Sequence, residues 1–336
     1  MRLKTCVGIL ALVGIALLYF GVRECGRERQ ILKSNYPEQA TSTNEICSSH
    51  EIRLVTSCRG IPRPVVAQTE KKDVSREIRT ICGLEPETAS AYLMRNKALR
   101  AIAFRHDLTS YEVATLLDYV ASTNDVLRIE KSAALKNDVL NLLRAQSSVS
   151  AELVPLLISI IDAQREEGGD LYPNVMVDYA VQHLGTRIEY VSQPDQAEIR
   201  KALARAASRT KMSYAGTALY ALVRNSDGDG DVWRKQTIAM LADETANSLA
   251  RMAAVQIVGA CKWREAHEMI VKLASSAKGE MGLQLTAIGT LGLIGTQEDR
   301  VLLARLSAQG NPRLKVAIET ADKRIVQNAS SLPKGK

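Results

Sequence analysis

The feature that most constrains this chain is a self-similarity near its C-terminal end. Residues 253–259 read Ala-Ala-Val-Gln-Ile-Val-Gly, residues 286–292 read Thr-Ala-Ile-Gly-Thr-Leu-Gly, and a fainter copy, Val-Ala-Ile-Glu-Thr-Ala, occupies residues 316–321. The matching alanines at positions 254, 287 and 317 lie 33 and 30 residues apart. A helical unit repeated every 20–50 residues or so is the signature of a solenoid, in which each unit packs on its neighbours. The echo therefore predicts a stack of helical units rather than a domain built around one central core.

Residues 86–327 carry the 3.6-residue spacing of amphipathic helices. Apolar residues recur at i, i+3, i+4 and i+7 in four clear stretches: Val113, Leu116, Leu117 and Val120; Leu153, Leu156, Leu157 and Ile160; Ala254, Ile257, Val258 and Cys261; Ile270, Leu273, Ala274 and Ala277. Glycine, proline and polar breakers separate the stretches, and the alternation typical of strands is essentially missing from the sequence. This pattern predicts an all-α fold of about a dozen helices, with Pro155 kinking one helix or marking its first turn, and a flexible tail at 328–336.

Three segments resemble the opening of the second helix of HEAT repeats. In each, a polar capping residue precedes a basic residue and a face of small and aliphatic residues; the segments are residues 231–238, 247–255 and 311–318. The resemblance is clear over residues 230–327 and extends plausibly over 86–327. It implies a right-handed α-solenoid of HEAT-like helical pairs. It implies no activity, because this superfamily, armadillo-type solenoids included, contains scaffolds and adaptors as well as chromophore-attaching lyases and DNA-repair enzymes.

The N-terminal region, residues 1–22, contains an uninterrupted apolar run at residues 6–22 with basic residues on both sides. Its 17 residues are at the lower limit for a helix that spans a bilayer, which needs about 17–25 apolar residues. The end of this apolar run lacks small residues at the spacing that signal-peptide cleavage requires. We therefore expect an uncleaved transmembrane anchor, with secretion after signal cleavage as the alternative.

Residues 23–85 read as an irregular stalk or linker, with a short helix expected at residues 74–82. Four cysteines fall in this segment: Cys25, Cys47, Cys58 and Cys82. Disulfides among them, with three possible pairings, are typical of an oxidising compartment. A zinc site completed by His50 and four free thiols in a cytosolic protein are the alternatives. The basic residues flanking the apolar run are almost balanced, so the cysteines alone favour a solenoid on the extracytoplasmic side, periplasmic or extracellular.

A candidate calcium loop lies between two predicted helices. Side-chain oxygens alternate along it at Asn225, Asp227, Asp229 and Asp231. The pattern departs from an EF-hand loop at its twelfth position, where Gln236 stands in place of a bidentate glutamate. A flexible turn in which Asp231 caps the next helix is the alternative. Beside the zinc alternative above, calcium is the cofactor that the sequence leaves open.

Two basic stretches are candidates for a partner surface. The first contains Arg95, Lys97, Arg100 and Arg105, and the second contains Arg200, Lys201, Arg205 and Arg209, followed by Lys211. They are typical of a surface for an acidic partner or of an ordinary solvated helix face. The formal net charge is +7, but residues 1–85 hold 13 Lys and Arg against 9 Asp and Glu, so the helical region is nearly neutral. A nucleic-acid partner is therefore not expected.

Catalytic motifs are not apparent in the sequence. The four histidines, His50, His106, His183 and His267, are scattered, and none lies in an HExxH, nucleotide-binding or nucleophile-elbow motif. We expect His106 and His183 to end helices, where an imidazolium is stabilised by the helix dipole. No small-molecule substrate is indicated.

These observations predict a membrane-tethered HEAT-repeat scaffold or adaptor that binds another protein through its solenoid surface without catalysis. Two alternatives remain open. One is a lyase- or hydrolase-type enzyme with a site in the solenoid groove, which would require a histidine placed against a carboxylate in a pocket. The other is an exported calcium-dependent interaction module.

Overall fold

The computed structural model describes residues 74–83, 89–123, 129–146, 150–163, 172–226, 230–276 and 280–331. They belong to one compact unit, Arg63–Lys336. The described part is all-α, as predicted, with the following helices: α1 (Arg76–Cys82), α2 (Ala89–Ile102), α3 (Ser110–Ala121), α4 (Ile129–Arg144), α5 (Ser150–Asp162), α6 (Asn174–Arg187), α7 (Gln193–Ser208), α8 (Ala215–Arg224), α9 (Gly230–Ala242), α10 (Ser248–Cys261), α11 (His267–Ser275), α12 (Met281–Ile294), α13 (Asp299–Ala308) and α14 (Pro312–Ser331). Helix α5 continues through Pro155, and short 3₁₀ turns precede α7 and α11.

Every second helix of the chain stacks on the next. Helices α2, α4, α6, α8, α10, α12 and α14 form a row in which each packs on the one before and the one after. Each odd-numbered helix packs against the even-numbered helix that follows it, and α5, α7 and α9 also pack on the even-numbered helix that precedes them. We call the even-numbered helices the stacked row. This arrangement of helical pairs is what a helical solenoid requires.

The sequence echo marks three successive members of the stacked row. Helices α10, α12 and α14 begin at Ser248, Met281 and Pro312, which are 33 and 31 residues apart. The period is therefore the length of one helical pair. The alanines shared by the first two copies, Ala254 and Ala287, are fully buried in the core, so the repeated residues are those that the neighbouring helices cover.

Glycines bring the helices of the stacked row close together. Three of them lie where the next helix of the row presents an alanine. A Cβ atom added to Gly185 would lie 2.6 Å from Cβ of Ala221, one on Gly216 would lie 2.5 Å from Cβ of Ala253, and one on Gly292 would lie 2.9 Å from Cα of Ala321. Any larger residue at these positions would push two helices apart, because interiors are packed without spare volume.

Polar caps begin α10 and α14, as the sequence predicts. The side chain of Asn247 accepts a hydrogen bond from the backbone N–H of Leu249 at 2.9 Å. Asn311 accepts one from the N–H of Arg313 at 3.0 Å. Each satisfies an N–H group that has no partner inside its helix.

The helical body extends beyond residues 86–327 at both ends. The short helix expected at residues 74–82 is α1, and it packs on α2 and α3 rather than standing apart as part of a stalk. Helix α14 continues to Ser331, and the Asn328 amide donates to the carbonyl of Gly292 at 3.3 Å. Tertiary contacts thus hold both ends of the body.

The predicted membrane segment at residues 6–22 and most of the stalk lie outside the described residues. Within the ranges that the structure describes, no helix combines the length and the apolar character that crossing a membrane requires.

Two glycines of α12 provide a test of the close packing. Gly292→Ala should lower the free energy of unfolding by about 1–3 kcal/mol, because the new methyl group meets the backbone of Ala321. Gly289→Ala should raise it by about 0.5–1 kcal/mol, because no neighbouring atom of the described residues lies within 4 Å of its Cβ position and alanine favours the helix. Urea unfolding followed by circular dichroism measures both. Equal effects of the two substitutions would contradict the packing described for α12 and α14.

Candidate binding surfaces

Helices α10 and α12 share an accessible face without charge. Six of its exposed or half-buried residues, Leu249, Met252, Gln256, Leu285, Gly289 and Leu293, define what we call the uncharged face. Leu249 is 57% exposed and Leu293 is 38% exposed. Helix α12 contains no charged residue, and the one charge of α10, Arg251, donates to the carbonyl of Leu241 in α9 at 3.3 Å. A helix that is apolar all round is normally covered on every side, so the open side of α12 is unusual.

The corresponding side of α4 and α6 is polar. Asp178 accepts a hydrogen bond from the Gln182 amide at 3.1 Å, while its other oxygen, Oδ1, is buried and has no hydrogen-bond partner in the described part of the chain. Burial raises the pKa of Asp178, and the neighbouring polar side chains of Thr217 and Gln182 partly offset this effect. The pKa of Tyr179 is raised by burial and by the charges of Asp178 and Asp138. The two halves of the stacked row thus present different chemistry.

A cleft of about 260 Å³ lies between α2 and α4. Its polar lining consists of Asn96, Arg100, Asp138 and Asn141. Burial raises the pKa of Asp138, and the charge of Arg100 opposes the shift. The cleft contains neither a histidine nor a nucleophilic side chain, so its lining supplies hydrogen bonds and charge rather than the components of a catalytic dyad.

His183 lies inside α6 rather than at its end, which corrects the prediction from the sequence. It is only 5% exposed, and its Nε2 lies 3.1 Å from Oδ1 of Asn137. Burial, together with the charges of Arg144 and Arg187, lowers the pKa of His183 to about 4. The imidazole is therefore neutral at pH 7, and the expected imidazolium at a helix end is wrong for this residue.

His106 lies in the loop after α2, where its Nδ1 is 3.3 Å from the carbonyl oxygen of Ala145. His267 begins α11, and its Nε2 lies 2.8 Å from Oδ2 of Asp299. The same carboxylate oxygen accepts a hydrogen bond from the backbone N–H of Thr296 at 2.7 Å. Asp299 thus organises the turn that begins α13, and the cleft between α2 and α4 does not include this pair. The histidine–carboxylate contact that the enzyme alternative requires is present, but the described residues do not place it in that cleft.

The first basic stretch divides between buried and exposed residues. Arg95 is 4% exposed and donates to the carbonyl of Gly83, so it is not accessible to a partner. Lys97 and Arg100 are exposed. Arg105 forms ion pairs with carboxylates of its own loop and of α3, Asp107 at 3.1 Å and Glu112 at 3.3 Å.

The second basic stretch lies on α7 and the turn that follows it, and it holds neighbouring helices together. Arg205 makes a two-pronged contact with Asp162 of α5, at 2.7 and 3.0 Å. Arg209 donates to the carbonyl of Ile161 at 2.9 Å, and Arg200 donates to that of Asn225 at 2.9 Å. Lys201 and Lys211 are exposed. Three of the five side chains thus have intramolecular partners.

The ends of the candidate calcium loop have partners of their own. The Asn225 amide is buried and donates to the carbonyls of Gly185 and Ala221. Asp231 is exposed and pairs with Arg234 at 2.8 Å. Asp227 and Asp229 lie outside the described residues. Calcium binding by this loop stays a prediction.

Two cysteines lie in the described part of the chain, and both are free thiols: Cys82 and Cys261. The Cys82 sulfur lies 3.9 Å from the carbonyl oxygen of Thr115, and burial raises its pKa to about 12 despite the opposing charge of Arg95. A thiol with so high a pKa is a packing group rather than a reactive one. The predicted disulfide partners Cys25, Cys47 and Cys58 lie outside the described residues.

Arg144 and Arg187 are the residues that sequence reasoning missed. They are the last residues of α4 and α6, and they lie 43 positions apart, too far for a local charge cluster to reveal them. The signal that could have found them is the recurrence of arginine at the end of successive helices of one row.

No known family model, curated protein or solved structure matches this chain.

The buried His183 makes stability depend on pH. Its pKa falls from 6.5 to about 4 on folding. Its contribution to stability is therefore fully present above pH 6.5, and it is lost progressively as the pH falls from 6.5 through about 4. The loss is on the order of 3 kcal/mol. His183→Gln, which cannot titrate and keeps an amide near Asn137, should show a shallower decrease over this interval. Chemical unfolding at a series of pH values measures the difference, and equal slopes in both proteins would rule out the buried neutral imidazole.

Proposed function

We propose that this protein is a membrane-tethered scaffold or adaptor, a right-handed HEAT-like solenoid that binds another protein through its stacked row without catalysing a reaction. The stacking of every second helix and the 33-residue period support the architecture. The apolar run at residues 6–22 supports the tether.

The uncharged face is the observation that carries the proposal. Leu249 is exposed near the start of α10 and Leu293 near the end of α12, and the accessible residues that define the face carry no charge. Contiguous exposed apolar surface on a folded protein marks a site of interaction. The packing of α10 on α12 keeps the two leucines in a fixed relation, which lowers the entropic cost of binding.

The chemistry of this face defines its partner. A charged side chain placed against α10 and α12 would lose its hydration without meeting an opposite charge, which is unfavourable. The complementary surface is therefore apolar and uncharged, as on one side of an amphipathic helix. Attachment to a membrane would raise the local concentration of both proteins and strengthen a contact of modest area.

A matched pair of substitutions tests the role of the uncharged face. Leu249→Glu and Val301→Glu each place a carboxylate in the first turn of a helix, at residues that are 57% and 64% exposed. The dipole favours a negative charge there, so both variants should fold. Only Leu249 belongs to the uncharged face. We expect Leu249→Glu to weaken partner binding at least about tenfold, and Val301→Glu to leave it unchanged.

The measurement is photocrosslinking of the full-length protein in its own membrane, with a photoreactive residue in place of Leu293. The expected result is one discrete adduct whose partner is identified by mass spectrometry, lost with Leu249→Glu and kept with Val301→Glu. An adduct of twice the chain mass would show that a second copy covers the face. An internal crosslink to residues 6–22 would show that the chain covers it. Either of these results would contradict the adaptor proposal.

A further inference from the structure

Two arginines meet at the ends of α4 and α6 and belong to no ion pair within the described residues. Arg144 donates to the hydroxyl of Thr186 at 3.3 Å. Arg187 reaches in the other direction, and its guanidinium donates to the backbone carbonyl of Arg144 at 3.5 Å. Each arginine thus lies against the helix end that carries the other. None of the ion pairs found in the described ranges includes either residue.

The pair carries two positive charges, one on the exposed Arg144 and one on the half-buried Arg187. Burial and the charge of Arg144 lower the pKa of Arg187, so each of these influences opposes the charge that the side chain carries. Other arginines of this protein have carboxylate partners: Arg205 contacts Asp162, and Arg300 contacts Asp322. Arg209 and Arg251 also contact backbone carbonyls, but each does so alone. What distinguishes Arg144 and Arg187 is that the charge of one acts on the other.

The groups next to the arginines have unused hydrogen-bonding capacity. The Nε atom of Arg187 is buried and has no hydrogen-bond partner in the described structure. The same is true of Nδ1 of His183, whose side chain is only 5% exposed. His183 is neutral and adds no third charge. Buried polar atoms without partners are unfavourable and are rare in folded proteins.

The helix dipole explains only part of this arrangement. A single arginine at a helix C-terminus stabilises the last carbonyls, and each of the two side chains supplies that effect. It does not explain why two like charges adjoin each other without a carboxylate, since that repulsion is unfavourable. An anion between the guanidiniums would remove it.

We propose that Arg144 and Arg187 form a binding site for a phosphate group, carried by inorganic phosphate or by a phosphorylated side chain. A phosphate bears a charge of about −1.5 to −2 at neutral pH and three acceptor oxygens, which matches two guanidiniums. A carboxylate would balance only one of the two charges. The site lies on α4 and α6, outside the uncharged face, so it adds to the proposed scaffold function and does not depend on it.

Equilibrium dialysis of the full-length protein in detergent against radiolabelled inorganic phosphate tests the site, with ionic strength held constant by sodium chloride. We expect saturable binding of one phosphate per chain. Arg144→Gln removes an exposed side chain and should fold normally. It should weaken binding about tenfold or more, as expected for the loss of a charge-assisted contact. Arg187→Lys keeps the charge but loses the guanidinium geometry, and it should also bind more weakly.

Lys201→Gln is the matched control, because it removes one exposed positive charge from α7. It should change the affinity less than about twofold, in line with the weak effect of a solvent-screened surface charge. Sulfate should compete with phosphate, and acetate should not. Tighter binding of a glycine-flanked phosphoserine peptide would assign the site to a phosphorylated partner, whereas equal or weaker binding would assign it to the free ion.

Three results would overturn the site. The first is no saturable binding up to about 10 mM phosphate, well above a millimolar dissociation constant. The second is an equal loss of affinity in Lys201→Gln and Arg144→Gln, which would indicate general charge attraction. The third is competition by acetate as strong as that by sulfate, which would make the ligand a carboxylate. The crosslinking result at Leu293 is independent of all three.

Discussion

The close approach of alternate helices is the contact on which the rest of this structure depends. At the α6–α8 contact, the missing side chain of Gly185 leaves room for the methyl group of Ala221. A glycine of one helix also faces an alanine of the next between α8 and α10 and between α12 and α14. Such contacts allow two backbones to approach closely, and dispersion forces then act over the full length of the helices. Each contact joins a helix to the next member of the row, about 35 residues away in sequence. Since every helix is stabilised by its neighbours in this way, the row needs no central core.

A row held together in this way leaves one side of its helices available for binding. That side is polar on α6, where Asp178 lies, and uncharged on α10 and α12. The two arginines lie at the C-terminal ends of α4 and α6. The fold supplies a rigid support, and the side chains of individual helices determine what is bound. A single chain can therefore offer an apolar surface for a protein and a charged site for an anion, separated along the row.

The sequence predicted the features that depend on local pattern. The echo located α10, α12 and α14, since the core side of a helix repeats with the helical pair, and the caps Asn247 and Asn311 followed from their position before a helix. Features that depend on pairs of distant residues were not predictable. The spacing of apolar residues around His183 does not reveal that Asn137 covers it. Nor does it reveal that Arg144 and Arg187 meet, because helix register across the row is set by packing.

The most direct test of the central claim is a double-mutant cycle across α6 and α8. Gly185→Ala alone should destabilise the protein by about 1–3 kcal/mol, since Cβ of Ala221 is the only atom of the described neighbouring helices within 3 Å of the new methyl group. Adding Ala221→Gly removes that atom and keeps the total number of helical glycines and alanines unchanged. The account predicts that the double variant regains most of the lost stability, with a coupling energy of about 1 kcal/mol or more. Additive effects of the two substitutions would show that α6 and α8 do not meet at these residues and would contradict the stacked row.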